Sequence, residues 1–320
     1  MSKDYKEAIG LLESFKKNYD RYASFRIKVR DNAPHFLSLD QLKTHWSCCS
    51  DRPSADVEVA AYPFVNSEKF ARLLHVRCNC CGMTFVPHLD FELDDYYEKD
   101  YQQDVQPFRM HTGKFYEPSN PFLSSPTYSR MLRRARIHLR YLEDGPEKSI
   151  LDIGCGVGIL LKEAKAGTKY ADEPDPYSKK ILKSELGVKL TRLDKLKNAV
   201  DGVVASHIVE HLFIGKVPEF FNSVHRALKT GGRFVVEVPD GADQINRLKQ
   251  GERGGVLFEP HTISFSAYSL IKLLKQAGFT IQTVHPGESF ASLPDDMKAE
   301  ISADTEIKNE TGILVVARKL

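Results

Sequence analysis

Three groups of residues in this 320-residue chain carry side chains that could do chemistry. The first is His207, Glu210 and His211, separated by three positions and then one. On a helix that spacing puts all three on one face, where imidazole and carboxylate can meet. A histidine with a carboxylate beside it is a base suited to neutral pH, because its ordinary pKa is about 6.5. His261, on a later loop, is the next candidate base, with a satisfied structural histidine as the competing reading. The second group is a cysteine window holding Cys48, Cys49, Cys78, Cys80 and Cys81. The third is a glycine turn, Asp152-Ile-Gly154-Cys155-Gly156-Val-Gly158, which follows an apolar run.

A strand that enters a glycine turn and then a helix lets the main chain bend sharply and lets a ligand approach without a Cβ in the way. Ile159 stands where the dinucleotide fingerprint places its third glycine, which weakens a nicotinamide reading. About twenty residues further on, doubly wound folds place a carboxylate for ribose hydroxyls. Glu173 fills that place, with Asp172 beside it. Turn and acid together indicate nucleoside binding. Cys155, between two glycines of the turn, reads as a small packing residue, since a reactive thiol needs a basic neighbour and an exposed path.

The elements that must position these groups follow from the alternation of short apolar runs with amphipathic stretches after Gly145, which predicts parallel strands joined by crossover helices. Expected strands are Ser149–Ile153, Thr168–Glu173, Gly202–Ser206, Arg233–Val238, Thr280–Val284 and Ile313–Ala317; expected helices are Gly158–Ala166, Pro176–Leu186, Pro218–Leu228 and Ala267–Ala277. A helix over Tyr128–Leu142, carrying Arg130, Arg133, Arg134, Arg136 and Arg140, introduces this region. Upstream, Tyr5, Ile9, Leu12, Phe15, Tyr19, Tyr22 and Phe25 recur at helical spacing and predict one long amphipathic helix, which packs on the body or serves self-association into a homo-oligomer.

In order, Leu151-Asp-Ile-Gly-Cys-Gly-Val-Gly158, Glu173-Pro-Asp-Pro176, Asp201 to Leu212, Ala227 to Pro239, His261 to Leu270 and Leu274 to Phe279 resemble the motifs of class I S-adenosylmethionine-dependent methyltransferases. The resemblance covers about 145 to 320. It implies an α/β fold: a Rossmann-like seven-stranded sheet with helices on both faces and an antiparallel last strand near Ile313–Ala317. It further implies that Asp152, Gly154, Cys155, Gly156 and Gly158 line the methionine end of S-adenosylmethionine, Glu173 the ribose, and Ser206 the mouth of the fourth strand. Leu193-Asp194 is a weakly marked adenine position. In similar quinone-ring O-methyltransferases a Glu, Glu, His patch can hold a divalent metal. His207 departs from that pattern and favours proton transfer. In similar sugar C-methyltransferases a Glu-His pair serves deprotonation, so His211 is the first candidate base, Glu210 its orienting partner and His261 second.

Cys78-Asn-Cys80-Cys81-Gly82 offers a Cys-x-x-Cys-Gly knuckle on which two thiolates converge, as in structural zinc sites. His45, Cys48, Cys78 and Cys81 are the expected ligands, with Cys49 as a substitute for His45 or Cys48. Four protein ligands leave zinc no open position, so the metal would be structural. The knuckle followed by Tyr96-Tyr97-Glu-Lys-Asp-Tyr101 resembles the N-terminal region of methyltransferases that modify sugars and surface glycans, in which the aromatic segment covers the substrate cleft. The expected divisions are an N-terminal helix and linker over 1–40, a small zinc-binding β subdomain over 41–90, a lid or linker and helix over 91–144, and the cofactor-binding domain over 145–320.

Forty-five Lys and Arg against 43 Asp and Glu leave a net charge of +2, which argues against a basic nucleic-acid coat. The charged first residues lack the apolar run of a signal peptide, and no long apolar segment follows, so a cytoplasmic protein without a membrane partner is expected. The leading expectation is methyl transfer to a hydroxyl or activated carbon of a small polar metabolite, such as a nucleotide sugar or a glycan precursor. Two alternatives stand beside it: RNA methylation, with the zinc ribbon and the arginines on RNA, and a non-catalytic cofactor-binding or scaffold module.

Overall fold

The computed structural model describes residues 35–36, 57–61, 74–78, 81–86, 88–89, 91–96, 113–241, 261–285, 293–303 and 312–320. The helix expected near the start of the chain, together with His45, Cys48, Cys49, Cys80, Tyr97 and Tyr101, lies outside these residues.

Five short strands come first among the described residues: His35–Phe36 pairs with His88–Leu89, and between them lie β1 (Val57–Ala61), β2 (Leu74–Cys78) and β3 (Thr84–Phe85). Helix α1 (Pro126–Leu142) starts where sequence predicts a start, because Ser125 caps the Tyr128 amide and Pro126 cannot use an amide there anyway. Then follow β4 (Ser149–Ile153), α2 (Ile159–Glu163), β5 (Thr168–Asp172), α3 (Pro176–Ser184), β6 (Lys189–Leu190) and β7 (Val200–Ser206). The second half adds α4 (Val217–Ala227), β8 (Leu228–Pro239), β9 (Ile263–Ser264), α5 (Ala267–Gln276), β10 (Phe279–His285), β11 (Ser302–Ala303) and β12 (Gly312–Lys319).

The large sheet runs β11-β10-β12-β8-β7-β4-β5-β6. Seven of its strands form the expected methyltransferase sheet, and β11 adds a two-residue eighth at the edge, parallel to β10. Strand β12 lies antiparallel to both β8 and β10, as the resemblance implied, while β4, β5, β7 and β8 pair in parallel. All five residues of β4 are buried, the pattern of a strand covered on both faces. Leu151 and Ile153 join the apolar layer under α4 and α5, and Ile150 joins the layer under α1, α2 and α3. The carboxyl ends of β4, β5, β7 and β8 therefore share one edge, where open α/β sheets bind ligands.

The cysteine-bearing strands do not form a sheet of their own. The second sheet runs β9-β3-β2-β1, so a strand from the cofactor-binding half completes it, with Ile263 opposite Phe85 and Ser264 opposite Thr84. Cys78, Cys81, Met83, Phe85 and Val86 are buried in the same apolar cluster as Phe221, Phe234 and Leu270. Burial of each large apolar side chain is worth about 1.5–3 kcal/mol, so this contact fixes the small sheet to the body. No helix among the described residues is long and apolar enough to cross a membrane.

Candidate active site

After Ile153 the chain passes through left-handed backbone at Gly154, Gly156 and Gly158, with φ of +63°, +53° and +82°. The three glycines serve different ends. A Cβ on Gly154 would meet Ile208 Cδ1 at 2.0 Å, and one on Gly158 would meet Leu182 Cδ2 at 2.5 Å. A Cβ on Gly156 would meet nothing within 4 Å, so its open side is where a ligand can come against the main chain. Glu173, just past β5, is buried and accepts from the Gly156 amide at 2.7 Å and the Asp175 amide at 2.8 Å. Burial pushes its carboxyl up although both amides hold it down. Asp152 is pushed well up, first by burial and then by the Glu173 charge. Two carboxyls thus crowd the open glycine, ready for hydroxyls and a cationic ligand.

Asp172 is aimed elsewhere, accepting from the Leu193 amide at 2.7 Å, and Asp194 beside it is exposed. Burial, then Asp152 and Glu173, push the half-buried Cys155 thiol well up, which keeps it protonated and a poor nucleophile. From the preceding segment, the Tyr116 hydroxyl donates to the Val157 carbonyl at 2.9 Å, and the Phe115 and Tyr116 amides donate to the Glu185 carboxylate. That segment is thereby anchored against the glycine turn.

The other candidate residues gather beyond β7 and β8. His207, Glu210 and His211 do not share a helix face. His207 is left-handed, with φ of +56°, and only a single 3-10 turn, Val209–His211, follows. The contact is with the next strand: the His207 amide donates to the Glu237 carbonyl of β8 at 2.9 Å, and the chain turns there instead of starting a helix. His207 Nδ1 still lies 3.2 Å from Glu210 Oε1, within ion-pair reach but out of line for a hydrogen bond. The His211 and His261 rings meet edge to face with centroids 4.8 Å apart. Glu210, His211 and His261 each place a ligand atom within 4.8 Å of the others, a set able to pass a proton or hold a divalent cation. Burial raises the Glu210 carboxyl, but His207, then His211 and His261, more than offset it and hold it below the usual range.

His261 arrives from far along the chain, and its neighbour explains how. The Thr262 amide donates to the Glu210 carbonyl at 2.9 Å, while the Thr262 carbonyl accepts from the Val86 amide at 2.8 Å. One residue thus ties the histidine turn to the cysteine-bearing sheet. Sequence reasoning missed Thr262, and also Glu237, His138 and Arg134. Ser206, expected at the cofactor, donates its hydroxyl to Glu237 Oε2 at 3.1 Å. The signal for Glu237 was its place in the apolar run Phe234-Val-Val-Glu-Val238, where an acid is out of pattern.

In the knuckle, the Gly82 amide donates to the Cys78 carbonyl at 2.8 Å and Gly82 takes φ of +74°, a tight turn that carries buried Cys78 and Cys81. The Ser266 hydroxyl donates to the Cys81 carbonyl. Two cysteines on such a turn are the donor chemistry of half a structural zinc site.

A parallel sheet with an antiparallel β12, a glycine turn opening at Gly156 and a buried acid after β5 define a nucleoside-binding α/β domain with chemistry at the ends of β7 and β8. Residues 128–284 match a methyltransferase domain family, and this domain is that of an S-adenosylmethionine-dependent methyltransferase. Solved structures with a similar domain include an S-adenosylmethionine-dependent methyltransferase from Thermotoga maritima, 21% identical, covering 60% of this chain and 94% of that one, TM-score 0.39. Another is the 1,6-didemethyltoxoflavin-N1-methyltransferase of Burkholderia thailandensis with its substrate and S-adenosylhomocysteine, 18% identical, covering 62% and 85%, TM-score 0.40. A third is a methyltransferase from Archaeoglobus fulgidus, 17% identical, covering 62% and 99%, TM-score 0.41. No curated protein matches the chain.

Proposed function

We propose that the enzyme methylates a hydroxyl or activated carbon of a small polar metabolite, such as a nucleotide sugar or a glycan precursor. The observation that carries this reading is the Glu210–His211–His261 cluster at the sheet edge that also holds the glycine turn. Bound S-adenosylmethionine supplies a methyl group on a sulfonium, whose sulfur leaves as a neutral thioether. Asp152 would face its cationic portion, Glu173 its ribose hydroxyls, and Gly156 would leave room for it against the main chain. His211 takes the acceptor's proton on a ring nitrogen, and Glu210 balances the positive charge that the ring then carries. His261 packs edge-on to His211 and fixes its plane.

The RNA alternative draws on α1, where Arg133, Arg136 and Arg140 line an open groove. Arg134 faces Glu237 at 3.4 Å, and Arg136 pairs with Glu163 at 3.0 Å. The arginines of α1 make at most a short track on a near-neutral chain. In the same reading Cys78 and Cys81 supply half of a structural zinc site, with His45 and Cys48 as the expected remainder. Metal analysis should find one zinc per chain, and Cys81→Ser should abolish it.

The test is incubation with methyl-labelled S-adenosylmethionine and an extract of the source cells, followed by separation of small molecules from polymer. Label in an anionic small-molecule fraction is expected. Label released only by ribonuclease would overturn the metabolite reading in favour of RNA.

A further inference from the structure

The most heavily bonded side chain near the site is one that the reading above does not use. Glu237, at the carboxyl end of β8, is 1% exposed. Its Oε2 lies 2.8 Å from His138 Nε2, accepts the Ser206 hydroxyl at 3.1 Å and faces Arg134 Nε at 3.4 Å. Burial pushes this carboxyl up, yet His138, then Arg134 and His207, overcome it and hold the group well below the usual range. It is therefore ionised, and His138 Nε2 must carry the proton it shares. The second oxygen, Oε1, lies 3.8 Å from His207 Nε2, a buried nitrogen with no hydrogen bond among the described residues.

His207 consequently stands between two buried carboxylates, with Nδ1 toward Glu210 at 3.2 Å and Nε2 toward Glu237. Its backbone is left-handed, which costs a non-glycine residue about 1 kcal/mol or more and persists only when surroundings over-determine it. The surroundings are Glu237 again, whose carbonyl takes the His207 amide. Burying charge with so many partners gives little net stability relative to apolar packing of the same volume. A role in the adjacent chemistry accounts for what stability does not.

We propose that Glu237, braced by His138 and Arg134 of α1, is a positioning residue for methyl transfer: it holds His207 beside Glu210 and so fixes the carboxylate whose charge faces His211 and His261. The proposal rests on the reading of His211 as base. The charged and titratable groups around His207 are Glu210 and His211 on its own loop, Glu237 on β8, Arg134 and His138 on α1, and His261 beyond Glu210. Removing the Glu237 charge leaves imidazolium in this cluster less favoured. The acid limb of the turnover profile, below which the base is protonated, must then move to lower pH.

Glu237→Gln keeps the shape and removes the charge. With methyl-labelled S-adenosylmethionine and the anionic small-molecule fraction of the extract as acceptor, turnover should fall about tenfold. Cofactor affinity by calorimetry should stay within about twofold, because neither Gly156 nor Glu173 is among the Glu237 contacts named above. The acid limb should shift down, and the double variant with His207→Gln should be no slower than His207→Gln alone. If Glu237→Gln fails to fold, Arg134→Gln, whose side chain reaches the surface, should still lower turnover several-fold at unchanged cofactor affinity. An unmoved acid limb, or full additivity with His207→Gln, overturns the proposal while leaving His211 as base. Wild-type turnover by His211→Ala would instead overturn the reading on which it rests.

Discussion

The two ends of the active-site edge are made from opposite materials. At the cofactor end the working surface is main chain, opened at Gly156 and flanked by Asp152 and Glu173, whose carboxyls burial has pushed up. At the acceptor end it is side chain: Glu210 and Glu237 are buried as fully, yet histidines and Arg134 hold their carboxyls down. On the proposed reading, the first end leaves negative charge under-compensated until a cationic, hydroxyl-bearing cofactor binds. The second carries its own compensation, which suits groups that must take up a proton and return it. Gly154 is the hinge between them, because the space of its missing side chain is filled by Ile208 of the histidine turn.

The largest separation of the two ends should come from His211→Ala, which is expected to reduce turnover by about 10²–10⁴ while cofactor affinity stays put. Glu173→Gln should act the other way, weakening S-adenosylmethionine by about 1.5–3 kcal/mol, or roughly ten- to a hundredfold in calorimetry. Glycine replacements sharpen the contrast further. Gly154→Ala should destabilise the fold by about 1–3 kcal/mol through the Ile208 contact, seen in denaturant melts, and should disturb turnover as well. Gly156→Ala meets no neighbour, so beyond about 1 kcal/mol of backbone strain its effect should fall on cofactor affinity.

Acid should also separate the ends. Asp152 and Glu173 have raised carboxyls in the unliganded protein, and the ligand prefers them ionised. Cofactor affinity must then fall as pH drops through a range above the ordinary carboxylate value of about 4. Glu237 has a depressed carboxyl, so its contribution to folding is fully present above about pH 4.3 and is lost only as pH falls below that. Titration by calorimetry should therefore show binding failing at a milder pH than the one at which thermal melts begin to drop.

Much of the cofactor end could be read from the chain, because its signals are local. Ser149–Ile153 carries apolar Ile150, Leu151 and Ile153 and leads straight into glycine, and it forms a strand with those bounds. Asp175 and Pro176 mark the start of α3, where the Asp175 carboxylate caps the Tyr177 and Ser178 amides. Strand β8 begins at Leu228, five residues before the expected Arg233, because a register irregularity absorbs Lys229-Thr-Gly-Gly232, which reads as a turn. Two-residue β6 and β11 give no periodicity to detect. The acceptor end was legible in its residue types but not in its geometry. The spacing of His207, Glu210 and His211 suits a helix, whereas the chain meets the next strand and turns there. Its brace pairs His138 with Glu237 across 99 residues, and Thr262 joins it to Val86, contacts that only the folded sheet reveals.

The most direct test of this division of labour is a crossed measurement on His211→Ala and Glu173→Gln, reading cofactor affinity by calorimetry and methyl transfer to the anionic acceptor fraction at saturating S-adenosylmethionine. The account predicts that His211→Ala binds like the wild type and turns over slowly, and that Glu173→Gln binds weakly and recovers most of its rate once saturated. Weak cofactor binding by His211→Ala, or a rate that saturation fails to restore in Glu173→Gln, would contradict it.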